Sequence, residues 1–318
     1  MDVALIVVAA AFALVNGANT GGTMLSLNLT VHALRPVTGI LVMTLGVVLA
    51  PLLLGTAVAD TVATDLVVWE GQGRRLGTML AVVASVVVVW TLSRFGAPTG
   101  QTMALVGAMA GVGQAAGEPV GWGAVAKVLL MMALAPLIGA VIAAFLLRVV
   151  APVVRVPDAG RGLRAAHAVA FALLSLAYGT NDAQKMLAVM AVATGVAGAT
   201  VPVVWWQLLL VALFFGLGAA IGVGRMAGTI GSGILPVRTV DAVSTEIATA
   251  TALLATSAAG APVGLAQTIS GALIGSGAAR GLGRVRWRRT GKLVLAWVTT
   301  LPAAYALGAV AGAVASRV

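Results

Sequence analysis

The chain has 318 residues, of which 60% are hydrophobic and 9% charged, and apolar stretches long enough to cross a bilayer recur throughout it. Its net charge of +10 comes from positive residues in short connectors between those stretches, which favours membrane orientation over nucleic-acid binding. A soluble domain is excluded, and the lack of cysteine excludes disulfides and thiolate chemistry. The two histidines, His32 and His167, stand alone and are too few for a histidine metal site.

Breaks at glycine, proline and charged residues divide the chain into about twelve segments. We expect them to begin near Val3, Thr23, Val37, Leu76, Gly100 and Val125, and then near Leu163, Gln184, Val203, Ala242, Gly264 and Leu293. Residues 100–113 and 264–277 are too short and rich in glycine to cross a membrane alone. They are predicted to be broken or re-entrant half helices, which a bilayer tolerates where protein or a water-filled cavity covers the backbone.

Two motifs occur twice in the chain. NGANTGGT, from Asn16, resembles YGTNDAQK, from Tyr178, and GAPTGQTMALVGAMAGVG, from Gly96, aligns without gaps with GAPVGLAQTISGALIGSG, from Gly260. The duplication predicts an all-α membrane protein of two repeats with about six helical segments each. Residues 1–150 form the first repeat, 151–162 a basic cytoplasmic hinge, and 163–318 the second repeat.

Arginine placement predicts the orientation of the repeats. The hinge and the run from Arg280 to Lys292 are both expected on the cytoplasmic side under the positive-inside rule. The counterpart of that run in the first repeat, around Glu118, then lies outside. The repeats are therefore predicted to be inverted, with a transport site where their interrupted segments meet.

The start of each glycine-rich segment suits an anion. Unpaired amide groups and the helix dipole make a helix N-terminus attractive to negative charge. Proline is a suitable first-turn residue, and glycine lets a ligand approach the backbone. Helix packing is the alternative role for these glycines, but the Pro-x-Gly start in both halves favours a site. The candidate anion group is Thr99, Gly100, Gln101, Thr102, Gly264, Gln267 and Thr268.

Ionisable side chains inside apolar spans are costly, so each is a functional hypothesis. Asp182 and Lys185 follow an apolar run, where a local ion pair at a helix end is the alternative reading. Glu246 has no obvious local partner and is expected to face the cavity. Asn19 and Asn181 can offer a carbonyl oxygen to a cation or an amide hydrogen to an anion.

These motifs resemble those of the inorganic phosphate transporter family, the Pit-type permeases that take up phosphate with sodium or protons. That family carries a duplicated GANDxxN-like motif and a Pro-Val-Ser-Thr-Thr stretch that opens a glycine-rich helix in each half. The resemblance implies that Asn19, Asn181 and Asp182 belong to the ion and substrate site, and that Glu246 matches the family's acidic residue ahead of the second proline motif.

The chain departs from the family pattern at several positions. Thr20 stands where the first signature has aspartate. Gly100, Gln101 and Thr102 replace Ser-Thr-Thr in one half, and Gly264, Leu265 and Ala266 replace it in the other. One carboxylate and several hydroxyls are therefore missing. The candidate coupling-ion group is Asn19, Thr20, Asn181, Asp182 and Glu246, with Lys185 as a charge partner.

The sequence therefore predicts a secondary transporter that moves inorganic phosphate by alternating access, coupled to protons or sodium. Sulfate or another oxyanion is an alternative cargo, and an anion channel is the alternative from another class. An enzyme is not expected, because no paired acid and base or metal set is present. We expect no cofactor, no nucleic-acid partner and no metal besides a coupling Na⁺. The chain is expected to be multi-pass in the cell membrane, the inner membrane of a bacterium, and a homo-oligomer is left open.

Overall fold

A computed structural model describes residues 3–31, 34–69, 73–94, 100–150, 159–226 and 234–317. Within these ranges the chain is helical almost throughout and contains no strand longer than the single bridge between Val67 and Val120. In chain order the helices are α1 Val3–Asn16, α2 Gly22–Val31, α3 Pro36–Leu54, α4 Ala57–Asp60, α5 Gly73–Arg94, α6 Gln101–Ala115, α7 Trp122–Val150, α8 Ala159–Tyr178, α9 Gln184–Thr194, α10 Trp205–Met226, α11 Thr239–Ala258, α12 Leu265–Ala279 and α13 Trp287–Ala315.

The predicted helical segments are confirmed. Each of them corresponds to one helix, and only the four-residue helix α4 has no predicted counterpart. The largest difference in a starting residue is at α13, which begins at Trp287 rather than near Leu293. The basic residues there suggested a connector, but the helix extends through them. Helix α8 begins at Ala159, inside the predicted hinge, while residues 151–158 lie outside the described ranges.

Seven stretches are long and apolar enough to cross a membrane, among the residues that the structure describes. Two of them, Val3–Leu29 and Gly160–Thr194, run through α1 into α2 and through α8 into α9. Aliphatic side chains on α3, α5, α7, α10 and α13 are exposed, as expected for surfaces that contact lipid. The chain is therefore a multi-pass membrane protein.

Helices α6 and α12 differ from these spans in being short and buried. Each has 15 residues, which at 1.5 Å per residue gives about 22 Å, less than the hydrocarbon thickness of about 30 Å. Nearly all of their side chains are shielded by neighbouring helices. The prediction of half helices in these two places is confirmed.

Glycines let both short helices pack closely on a long helix. In α6, Gly107 and Gly111 contact the backbone of α13, and in α12, Gly271 and Gly275 contact the backbone of α7. A Cβ on any of them would collide with a carbonyl group of the neighbour; these carbonyls belong to Leu301, Tyr305, Pro136 and Ala140, respectively. Packing is therefore the role of these four glycines. Each short helix packs on the long helix from the other half of the chain.

The duplicated motif at Asn16 and Tyr178 folds into a widened, π-helical turn in both halves. These turns, Gly17–Gly21 and Gly179–Ala183, join α1 to α2 and α8 to α9 without breaking the helical path. Gly17 contacts the backbone of Phe215 in α10, and Gly179 contacts the backbone of Gly46 in α3. Both turns are thereby held inside the molecule, where such turns are often functional.

Candidate functional site

Asn181, in the second π-helical turn, holds the loop that leads into α12. Its Oδ1 accepts a hydrogen bond from the backbone N–H of Val263 at 3.0 Å. Its Nδ2 lies 3.1 Å from Oγ of Ser257 and donates to the carbonyl oxygen of Ala261 at 3.3 Å. All three of these contacts are with the end of α11 or the loop that leads into α12. Asn181 therefore positions the N-terminus of α12.

Asp182 and Lys185 form a buried ion pair next to this loop. Oδ1 of Asp182 lies 2.8 Å from Nζ of Lys185, and each side chain is 2% exposed. Lys185 also donates to the carbonyl oxygen of Val263 at 3.0 Å and to the hydroxyl of Thr102 in α6. The pair is local in sequence, but its bonds connect α9 with the N-terminal regions of both short helices.

Thr102 completes the connection between these short helices. Its hydroxyl donates to the carbonyl oxygen of Val263 at 3.0 Å while accepting from Lys185. Thr102 of the first short helix and Lys185 of the second half therefore donate to the same carbonyl oxygen, that of Val263. The structure brings together Asn181, Asp182 and Lys185 from one motif with Thr102 from the other.

The N-termini of α6 and α12 meet at the side chain of Gln267. Gly100 and Gly264 occupy the position before each helix, and neither N-terminus is capped by a side chain. A Cβ on Gly264 would lie 2.7 Å from Oε1 of Gln267, and one on Gly100 would lie 3.5 Å from its Nε2. A side chain at Gly264 would therefore displace the side-chain amide of Gln267. Two positively polarised helix starts therefore share one small region.

Polar atoms remain without a protein partner in this region, among the residues that the structure describes. Both amide atoms of Gln101 and the Oε1 of Gln267 are buried without a hydrogen bond, as is Oδ2 of Asp182. Buried polar groups are normally paired, and exceptions call for an explanation such as a bound ion or water. Donors at Gln101 suit an anion, whereas the free carboxylate oxygen suits a cation or a hydrogen carried by the anion.

Two members of the predicted anion group need separate mention. The hydroxyl of Thr268 donates to the carbonyl oxygen of Gly264 at 3.0 Å, so its hydrogen is used within its own helix. Thr99 lies outside the described residues, as does the proline before it, Pro98.

The first π-helical turn reaches the same region through an aromatic side chain. The hydroxyl of Thr20 donates to Oδ1 of Asn16 at 2.8 Å. The phenol of Tyr178 lies beside Thr20 and close enough to Asp182 to interact with its charge. Asn19 is 6% exposed in the same turn, and its backbone carbonyl oxygen accepts a hydrogen bond from the hydroxyl of Thr23 at 2.9 Å. Tyr178 is therefore a neighbour of both Thr20 and Asp182.

Glu246 lies away from this cluster. It is eleven residues before Ser257 on α11, about 16 Å along a helix that rises 1.5 Å per residue. Its Oε2 is 3.0 Å from Nδ1 of His167 in α8, and both side chains are fully buried. As predicted, Glu246 has no partner that is local in sequence, but our reading of His167 as standing alone was wrong, because it is the partner of Glu246. The partners are far apart in sequence, and only the packing of α8 on α11 joins them.

Other contributing residues were also beyond the reach of sequence reasoning. Ser257 contacts Asn181 from the end of α11, although nothing in its sequence context distinguishes it from neighbouring small polar residues. Gln184 accepts from the backbone N–H of Val58 at 2.7 Å and donates to the carbonyl oxygen of Gly55 at 2.7 Å. It therefore attaches α9 to the start of α4. Its position in the duplicated motif was the only available signal.

A cavity of about 370 Å³ lies between α7, α12 and α13. Its lining is apolar, from Met132, Ile274 and Trp297 among others, except for Gln267 at one end. An inorganic anion would lose its hydration there without gaining donors, so the cavity does not extend the anion site.

Comparison with known proteins places these motifs in a wider group. A model of the phosphate transporter family matches residues 16–159 and 154–308. A probable low-affinity inorganic phosphate transporter of Rhizobium meliloti is 31% identical over 318 residues, covering 96% of this chain and 94% of the relative. Proteins of the same description from Mycobacterium leprae and Bacillus subtilis are 30% and 26% identical, covering 96% and 98% of this chain and 76% and 96% of theirs.

A solved structure also matches closely in shape. It is described as the sodium-dependent phosphate transporter, and it superimposes with a TM-score of 0.86 over 99% of this chain and 100% of the other. The sequences are 19% identical, so the match concerns the fold.

Proposed function

This chain belongs to the phosphate transporter family, and on that premise we propose that it is a secondary transporter that moves inorganic phosphate across the membrane by coupled alternating access. The chain is a transporter rather than an enzyme. Its proposed location is the cell membrane, the inner membrane if its source is a bacterium.

The observation that carries the proposal is the meeting of two uncapped helix starts at Gln267, beside the Asp182–Lys185 pair. Both side-chain amide atoms of Gln101, in the first turn of α6, are also buried without a hydrogen bond. A tetrahedral oxyanion needs several donors converging from different directions, and two opposed helix starts supply them. The proposed anion group is Gly100, Gln101, Thr102, Gly264 and Gln267, with Thr99 and Thr268 at its border.

Phosphate is favoured over sulfate by the acceptors next to these donors. Near neutral pH phosphate still carries hydrogens, since its second pKa is about 6, whereas sulfate carries none. Oδ2 of Asp182 is buried without a partner among the described residues and can accept such a hydrogen. A sulfate at the same place would face that carboxylate without a hydrogen between them, which is repulsive.

The same carboxylate supports the proposed coupling role of this cluster. Asn181 and the Asp182–Lys185 pair lie beside the start of α12, and Lys185 balances the charge of Asp182. We assign Asn19 and Thr20, from the first π-helical turn, to the same coupling group. We assign Glu246 to coupling as well, at a separate place on α11. The coupling ion is H⁺ or Na⁺.

Matching contacts in the two halves support two repeats joined by residues 151–162. Helix α6 packs on α13 as α12 packs on α7, and the two π-helical turns pack on α10 and α3. The family model likewise matches in two stretches that meet at residues 154–159. We propose that alternating access opens the shared site first to one side of the membrane and then to the other.

Counterflow in proteoliposomes tests the proposed cargo. Vesicles loaded with unlabelled phosphate should take up labelled phosphate, and excess external phosphate should suppress this uptake far better than sulfate. Asp182→Asn should narrow the difference, because the neutral amide no longer repels sulfate. Sulfate competing equally in the unmodified protein would replace the phosphate assignment with a sulfate permease. Single-channel conductance of the reconstituted protein would replace the transporter with a channel.

A further inference from the structure

The buried pair formed by His167 and Glu246 lies where three helices meet. Asn28 of α2 contacts Nε2 of His167 through its Oδ1, at 3.3 Å, while Glu246 contacts Nδ1 from α11 at 3.0 Å. The three side chains are fully buried. Asn28 belongs to the first half of the chain, whereas His167 and Glu246 belong to the second. Nothing in the anion group described above uses this cluster.

The backbone of Leu34 fixes the orientation of the Asn28 amide. The N–H of Leu34 donates to Oδ1 at 2.9 Å, and Nδ2 donates to the carbonyl oxygen of Leu34 at 3.0 Å. A backbone N–H can bond only to the oxygen of the amide, and a backbone carbonyl can bond only to its nitrogen. Oδ1 of Asn28 therefore faces His167.

This orientation determines which imidazole nitrogen carries hydrogen. Because Oδ1 of Asn28 only accepts, Nε2 of His167 must donate. Nδ1 then either carries a second hydrogen and faces the Glu246 carboxylate, or is bare and accepts from the protonated carboxyl group. In both cases one proton lies between Nδ1 and Oε2, and the pair has no net charge. Removing this proton would leave a buried negative charge, and adding another would leave a buried positive one, and each is costly.

Other charges around the pair are engaged elsewhere. Asp241 of α11 bonds the backbone N–H of Arg238 at 2.9 Å and lies 3.4 Å from Arg280. Asp182 is paired with Lys185. The remaining charged groups of the surrounding elements are exposed or hydrogen-bonded to backbone, namely Arg35, Asp60, Lys127, Arg148, Arg161 and Arg164. In the described part of the chain, His167 is the one cationic partner of Glu246.

We propose that His167 and Glu246 form a site for a single proton, held between Nδ1 and Oε2, and that this proton is the one coupled to transport. The proposal rests on the proposed function and names its coupling ion. The site bridges the two halves through Asn28. Its proton exchanges with water when α2 separates from α8 and α11, which links protonation to the conformational change of transport. His167 acts on the coupling ion and does not touch the anion.

The first test reads the hydrogen on Nε2 of His167, which the proposed site requires. The chain has two histidines, so His32→Gln leaves His167 as the only imidazole for ¹⁵N NMR of the intact protein in detergent or lipid. We expect Nε2 to be protonated throughout the range between about pH 5 and pH 8, where an ordinary histidine changes charge. A neutral imidazole with a bare Nε2 would overturn the proposed site. This readout does not depend on the identity of the transported anion.

The second test separates coupling from transport. Proteoliposomes with a clamped membrane potential are given an imposed pH gradient, and phosphate accumulation is compared with exchange at equal phosphate on both sides. One proton per cycle can drive at most about a tenfold accumulation of phosphate for each pH unit imposed. In His167→Gln and Glu246→Gln we expect this accumulation to be lost, while exchange continues. His32→Gln serves as the control and should accumulate phosphate like the unmodified protein.

The outcomes distinguish the two proposals. Accumulation in both variants equal to that of the unmodified protein overturns the proton site and leaves phosphate transport standing. A proportional loss of accumulation and exchange also overturns it, because a purely structural contact would lower both. If the unmodified protein exchanges sulfate but not phosphate, the proposed cargo fails. The same comparison with labelled sulfate then judges the proton site.

Discussion

At the scale of single residues, Lys185 connects the second π-helical turn with both short helices, through Asp182, Thr102 and the carbonyl oxygen of Val263. We predicted Asn181 and Asp182 to be site residues because the duplicated motif marks them, and in the structure both lie near the start of the second glycine-rich helix. The hydrogen bond from Lys185 to Thr102 was not predictable, since the two residues are distant in sequence and nothing in either motif indicates a contact with the other. The His167–Glu246 contact was missed for the same physical reason.

Thr102→Val tests the hydroxyl that joins the two short helices. Valine keeps the shape but loses the bonds to Lys185 and to the Val263 carbonyl oxygen. A hydrogen bond to a charged group contributes about 1.5–3 kcal/mol, so we expect the apparent affinity for phosphate to fall by roughly tenfold or more in concentration-dependent uptake. Thr251→Val is the matched control, because that exposed hydroxyl bonds only within its own helix. Equal effects of the two changes would disprove the role of Thr102.

Lys185→Met tests the buried ion pair through stability. Removing the lysine leaves the Asp182 charge buried without compensation, a situation that costs about 3–5 kcal/mol. We expect a clear fall in the thermal unfolding temperature of the purified protein. Adding Asp182→Asn should restore part of the loss, because the uncompensated charge is then gone. A double variant less stable than the single one would argue against a charged pair.

At the scale of helices, the sequence predicted most of the architecture. Breaks at glycine and proline gave the starts of the helices within a few residues, and the short lengths of α6 and α12 followed from their sequences. The π-helical form of the two motif turns was not predictable, because no residue type specifies one extra residue in a helical turn. Helix α4 was missed since it comprises a single turn after Gly55, whose φ of 81° ends α3.

The glycine contacts of the two short helices should be equivalent. Gly111→Ala and Gly275→Ala each place a methyl group against a carbonyl oxygen of the neighbouring long helix. We expect both to lower the unfolding temperature, by similar amounts, because the helices must separate to accommodate the methyl group. Gly123→Ala is the control, since no atom lies within 4 Å of its added Cβ. Tolerance of alanine at Gly111 together with a large effect at Gly275 would contradict matched packing in the two halves.

At the scale of the whole molecule, the membrane class and the family followed from composition and duplicated motifs. The orientation of the chain in the membrane did not follow from the fold, because the helices pack in the same way in either orientation. It rests instead on the basic residues of the hinge and of the connector between α12 and α13. The proposed inverted arrangement therefore needs a test of its own.

Single cysteines at Glu118 and Arg284 provide that test. These residues lie in the connectors that follow α6 and α12, and the absence of native cysteine makes each label specific. In sealed vesicles of one orientation, we expect a membrane-impermeant maleimide to label them from opposite sides. Labelling of both from one face would rule out inverted repeats while leaving the helix packing unaffected.

The central claim is that phosphate is held where α6 and α12 begin. The most direct measurement is protection of a cysteine placed at Gln101, with a cysteine at Val298 in the apolar cavity as the control. Phosphate should slow maleimide labelling at position 101 in a concentration-dependent manner and more strongly than sulfate does, and it should leave position 298 unaffected. Labelling at position 101 that is indifferent to phosphate, in a variant that still exchanges phosphate, would contradict the account.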